Sequence, residues 1–245
     1  MNKLYFILFL FFGFSAIAQQ PAPVRPTLGE TSVVKDSSGF QYPYAIWKKL
    51  WQGGSHAIRP MQANGVAPEF LIYELSEADK IKRAELMPKP GETSFFKTGS
   101  KLPNFKMLDI EGKKYNLKDL AGKVVVLNFW FINCPPCRME IPDLNKMVLK
   151  YKDNPDVIFL AVGLDEKYDI KDFLKKSPFL YNISADGRWL ANSYGVKSYP
   201  THVVIDQTAK ILFHTTGLAV NTVYWVDKSI REALGAGVSG GSIGK

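Results

Sequence analysis

The stretch VVVLNFWFINCPPCRMEIP, residues 124–142, decides how this chain is read. From Val124 to Trp130 it is β-branched, leucine or aromatic apart from Asn128, the pattern of a strand buried on both faces. Cys134 and Cys137 follow, and they are the only 2 cysteines among 245 residues. A helix is expected to open at the cysteines and run to Tyr151, with Ile141, Leu144, Val148 and Tyr151 as its apolar stripe. Thiols at that point have a chemical use. Helix N-terminal N–H groups and the macrodipole favour a thiolate, which makes Cys134 the expected nucleophile, exposed to solvent. Cys137, one turn on, lies deeper and within disulfide reach, so it can release a mixed disulfide formed at Cys134.

Other uses of the pair fit less well. A zinc site needs two further ligands, and His56, His202 and His214, the only histidines, are not paired at ligand spacing. Haem attachment needs a histidine directly after the second cysteine, where Arg138 stands. A purely structural bridge between Cys134 and Cys137 closes a tiny loop and adds little stability. Redox chemistry is the expectation, with no metal and no cofactor.

Working outward, DVIFLAVGL (156–164) reads as a second buried strand and KYDIKDFLKKS (167–177) as an amphipathic helix. YPTHVVID (199–206) and KILFHTTG (210–217) read as paired strands, and NTVYWVDKSIREAL (221–234) as a final helix. Upstream, NFKMLDIEGKKYNL (104–117) suggests a hairpin turning at Glu111-Gly112, preceded by a connector, GETSFFKTGSKLP (91–103). This order predicts an α/β fold with a mixed central sheet flanked by helices over residues 101–234.

Residues 19–100 read as a small α/β N-terminal region with no recognisable chemistry. It holds a turn at Asp36–Gly39, a helix with Ile46, Trp47, Leu50 and Trp51 on one face, a hairpin turning at Asn64-Gly65, and a helix capped by Ser76. Residues 1–18 carry Lys3, an apolar run from Leu4 to Phe14 and a small-x-small site ending at Ala18, which predicts a cleaved signal peptide and a periplasmic or otherwise exported protein. The run is too short for a membrane span. The Gly/Ser-rich tail, residues 235–245, is expected to be disordered. The formal charge is +8, from 31 basic and 23 acidic residues, but the charges are interleaved and no nucleic-acid partner is expected.

The spaced landmarks LPNF, DLAGKVVVLNFW, CPPCRMEIP and YGVKSYPTHVVID, in this order, resemble the TlpA/ResA group of exported thiol–disulfide oxidoreductases of the thioredoxin superfamily. The resemblance covers about Lys101 to Leu234 and implies a thioredoxin-like fold. It implies that Pro200, after Tyr199 in SYPT, is the family's cis-proline beside the disulfide, leaving a backbone edge for substrates. It implies that Glu140, three places after Cys137, is the group's acidic residue, able to take or return the proton of Cys137. Trp130 matches the tryptophan near the active site, and Pro142 the helix-kinking proline. Thioredoxin's buried aspartate falls at Asn128, which cannot act as a base. Peroxiredoxins share the fold but place Thr and Pro where this chain has Phe131 and Leu127.

Direction follows from the residues around the pair. Pro135 and Pro136 carry no N–H, and no cationic residue lies between the cysteines, so the Cys134 thiolate is expected to be only moderately stabilised. That predicts a reductase; the resemblance implies oxidised exported proteins as its substrates, apocytochrome c among them, a membrane thiol donor that recharges it, and a monomer or weak dimer. The alternatives are an oxidase or isomerase, or a partner-binding module with an ancillary redox site.

Overall fold

A computed structural model of the chain describes residues 26–61 and 68–239. The expected signal peptide and the Asn64-Gly65 turn lie outside the described residues. The chain begins with β1 (Val33–Lys35), α1 (Tyr44–Gln52), β2 (His56–Pro60), β3 (Glu69–Glu74) and α2 (Glu77–Leu86). These strands form a three-stranded sheet in the order β1-β3-β2. Trp47, Phe70, Ile72 and Val34 make its small core. Ser76 caps α2 as expected, its hydroxyl accepting from the Asp79 N–H at 3.1 Å. Of the stripe expected on α1, Trp47 is buried, whereas Ile46 and Trp51 are exposed.

A hairpin of β4 (Lys106–Leu108) and β5 (Lys114–Asn116) follows, then β6 (Val124–Trp130), α3 (Pro135–Lys150), β7 (Val157–Gly163), α4 (Lys167–Lys176), β8 (Asn182–Ser184), α5 (Arg188–Ser193), β9 (Thr201–Ile205), β10 (Ile211–Thr216) and α6 (Thr222–Ser239). The central sheet has the order β10-β9-β6-β7-β8, with β6, β7 and β8 parallel and β9 antiparallel to both β6 and β10. This is the mixed, thioredoxin-like sheet the sequence predicted. β6 is buried along its whole length. Its side chains alternate: Val124, Val126 and Trp130 pack toward α3 and α6, and Val125, Leu127 and Phe129 toward the hairpin and α5. Asn128 therefore faces α3. α6 runs to Ser239, past the end expected at Leu234. Glycine disfavours a helix by about 1 kcal/mol but does not forbid it, and no proline stops the chain there.

Two sets of contacts fix the N-terminal sheet and the connector to the larger unit. Buried Asn221, just before α6, donates to the carbonyls of Ala84 and Pro88 at 3.3 and 3.0 Å. The connector runs along β10: Gly99 N–H donates to Ile211 O, Ile211 N–H to Ser100 O, and Leu102 N–H to Ala209 O. Further up, Thr93 N–H donates to His214 Nδ1 at 3.0 Å and the Thr215 hydroxyl to Gly91 O at 2.9 Å. Among the described residues no helix is long and apolar enough to cross a membrane.

Candidate active site

β6 delivers the chain to the end of the sheet, and residues 131–133 turn it into α3. Cys134 is the N-cap residue of that helix and is joined to Cys137 as a disulfide. Pro135 and Pro136 occupy the first two helical positions, where a missing N–H costs nothing. The first N–H of the helix is that of Cys137, and it donates to Cys134 Sγ at 3.2 Å. The next, from Arg138, goes to Cys134 O at 3.1 Å. The diproline thus leaves the sulfur one backbone donor from the first turn.

Cys134 is not exposed: it is 2% accessible, and Cys137 3%. The expectation of a solvent-facing nucleophile fails for the disulfide form. Both sulfurs belong to one core cluster, and Phe131, Ile132 and Tyr199 pack against it. The Phe131 and Tyr199 rings meet edge-on at 5.5 Å. The Tyr199–Pro200 peptide is cis, as the resemblance implied. The Asp165 carboxylate anchors the loop before the cysteines, accepting the Ile132 N–H at 2.7 Å. Trp130 is wholly buried between Phe173 and Phe179, so it supports the site from inside and offers no surface to a substrate.

Glu140 lies one turn after Cys137 on the same helical face. It is 5% accessible, and its Oε2 sits 2.8 Å from Nε2 of fully buried His202. A carboxylate can only accept, so Nε2–H donates to it. The other ring nitrogen is then an acceptor, and the Asn128 amide nitrogen stands 3.3 Å from it. Asn128 and His202 are direct partners in the β6–β9 register. Glu140 Oε1 is buried with no hydrogen-bond partner among the described residues. Sequence reasoning weighed His202 only as a metal ligand. The available signal was a polar residue at an inward position of the apolar strand THVVI, matched by Asn128 in VVVLNFW. Among the described residues no group of His, Cys, Asp and Glu could hold a metal ion.

On its outer side the motif borders a groove of about 1140 Å³. Pro135, Arg138 and Met139 of α3 form one wall, Phe173 lies beside them, and Ile46 and Leu50 of α1 face them. Among the described residues, Lys49 and Arg138 are the only charged ones in its lining, and both are cationic.

The AhpC/TSA family profile matches residues 98–214. The thiol-disulfide oxidoreductase ResA of Bacillus thuringiensis is 38% identical over 150 residues, which cover 60% of this chain and 79% of ResA. The chain belongs to the ResA/TlpA-like thiol–disulfide oxidoreductases of the thioredoxin superfamily. As in that family, the enzyme's chemistry is thiol–disulfide exchange. The thioredoxin-like protein YneN of Bacillus subtilis is a further relative, 32% identical over 115 residues, 46% of this chain and 68% of YneN. A Chlorobium tepidum structure assigned as the thiol:disulfide interchange protein DsbE superposes with TM-score 0.52 at 33% identity, covering 56% of this chain and 98% of that one. Within this ResA-like chain the peroxidase positions hold Phe131 and Leu127.

Proposed function

We propose that this enzyme reduces disulfides of exported proteins, with Cys134 as nucleophile and Cys137 as resolving thiol. The observation that carries this reading is the disulfide at the N-terminus of α3, with buried Glu140 one turn beyond Cys137 on the same helix and Tyr199 packed against the core cluster that holds both sulfurs. The Cys134 thiolate attacks a substrate disulfide, forms a mixed disulfide and expels one substrate thiolate. Cys137 then attacks Cys134 Sγ, expels the second substrate thiolate and leaves the enzyme oxidised. Its proton passes to Glu140. A membrane thiol donor returns two electrons and restores the dithiol. The sequence pattern of a leader at residues 1–18 supports an exported site of action, where apocytochrome c is a fitting substrate. The apolar groove beside Pro135 suits an extended polypeptide, and its Lys49 and Arg138 suit a segment with acidic residues.

Reductase direction rests on the single first-turn donor to Cys134 and the neutral Asn128. A thiolate with few stabilising partners makes the disulfide the favoured form, so the dithiol gives up electrons readily. Equilibration with a dithiothreitol or glutathione series tests this. The expected potential is nearer the value of about −270 mV typical of thioredoxin than that of about −120 mV of a strong oxidant. A value above about −180 mV, the isomerase range, overturns the reductase direction.

A further inference from the structure

We propose that His202, held by Asn128, is a positioning residue for Glu140. It fixes the carboxylate so that Oε1 is the atom that takes the Cys137 proton. This deepens the proposed role of Glu140 and rests on it.

The geometry is directional. The Asn128 amide nitrogen stands 3.3 Å from His202 Nδ1 and 3.4 Å from Nε2; with the Nε2 proton directed at Glu140 Oε2, only the Nδ1 lone pair can accept from the amide. Each member is buried, so these hydrogen bonds are not exchanged for water, and an unmade one would be costly. The asparagine matters for its chemistry. An aspartate at residue 128 would accept rather than donate and would demand a proton on Nδ1; the amide demands a lone pair there, which leaves the ring proton on Nε2, facing Glu140. The position that held thioredoxin's buried base thus sets a tautomer here, and the base has moved to the helix. With Oε2 occupied, the partnerless Oε1 is the oxygen left to receive a proton.

The titratable groups around Glu140 are few. Cys137 lies on the same helix and His202 on β9. The Tyr181 hydroxyl precedes β8; it is held well above its usual range, first by burial and then by the Glu140 charge, so it stays neutral. The step balances. Cys137 Sγ–H loses its proton to Glu140 Oε1 as Sγ bonds to Cys134 Sγ, the Cys134–substrate S–S bond breaks, and the substrate sulfur leaves as thiolate.

The test isolates the resolving step. The reduced enzyme releases one equivalent of thionitrobenzoate from 5,5′-dithiobis(2-nitrobenzoate) when Cys134 attacks, and a second when Cys137 resolves the mixed disulfide. The pH profile of the second release is compared for wild type, Glu140→Gln, His202→Leu, His202→Gln and Asn128→Leu. Removing the donor makes the carboxylate harder to ionise, so His202→Leu should move the acid limb of the second release up by about one pH unit, which slows it by up to about tenfold at pH values on that limb. His202→Gln, which keeps a donor near Nε2, should recover most of the rate. Asn128→Leu should shift the limb the same way by less. Melting of each oxidised variant gives the fold control. An acid limb lost in Glu140→Gln but unmoved in His202→Leu overturns the role of His202 and leaves that of Glu140 standing. An unchanged profile in Glu140→Gln overturns both. Equal slowing by His202→Leu and His202→Gln, without a pH shift, reduces His202 to packing.

Discussion

Replacing Asp165 tests whether the loop before Cys134 is held by one carboxylate. Asp165 is half-buried after β7, and it takes the Ile132 N–H at 2.7 Å, two residues before Cys134. A hydrogen bond to a charged acceptor contributes about 1.5–3 kcal/mol, and partial exposure places this one near about 1.5. For a chain of this size about 1 kcal/mol moves the melting midpoint by about 2–4 °C, so Asp165→Ala should melt about 3–6 °C lower. Asp165→Asn retains an oxygen acceptor without the charge and should lose about half as much. The functional readout is iodoacetamide alkylation of Cys134 in the reduced enzyme, which should accelerate in Asp165→Ala as the segment 131–133 before it loosens. Scanning fluorimetry and timed alkylation followed by mass spectrometry measure both. If Asp165→Ala melts within a degree of wild type and alkylates at the same rate, the loop is held by packing alone. If Asp165→Asn loses as much as Asp165→Ala, it is the charge that matters and not the hydrogen bond.

Two further outcomes follow from the site's surroundings. Burial alone would raise the Asp227 carboxyl, but hydrogen bonds from Lys150, Tyr151 and Arg231 outweigh it and hold the group below the usual carboxylate range. Its contribution is therefore present above the unfolded value of about 3.9 and lost as pH falls through the lower folded value; melting curves between pH 5 and pH 2 should steepen less in Asp227→Asn. Ile46 is 49% exposed in the groove wall, and Ile46→Asp should slow reduction of insulin disulfides roughly fivefold while sparing 5,5′-dithiobis(2-nitrobenzoate). Equal rates on insulin would remove the groove from substrate binding.

Most of the central sheet was legible in the sequence. β6 and β7 are long, continuously apolar runs, and a helix opening on Pro135-Pro136 after a buried strand has few other readings. β8 and α5 were missed because three and six residues carry too little periodicity to stand out. The cysteine pair was legible from spacing, and Glu140 from its place one turn on. The burial of Cys134 was not, because it depends on which residues of other elements, Tyr199 before β9 among them, pack against its core cluster. His202 was hidden for a related reason. Its meaning lies in the antiparallel register that sets it opposite Asn128, and a single sequence does not state which strand a residue will face.

The connector has a consequence for how this enzyme can be cut or recombined. β10 closes one side of the central sheet, and the backbone of Gly99, Ser100 and Leu102 occupies its outward row of donors and acceptors. An uncovered strand of that kind is a template for another chain. A fragment starting at Lys101 would carry the whole disulfide machinery yet bare part of that row, along with His214 and Thr215, which Thr93 and Gly91 now satisfy. Such a fragment should be active but sticky, pairing edge to edge into oligomers. A fragment starting before Gly91 keeps its own cover. In that sense the connector is the last, irregular strand of the catalytic unit, and it protects solubility as much as it joins two parts.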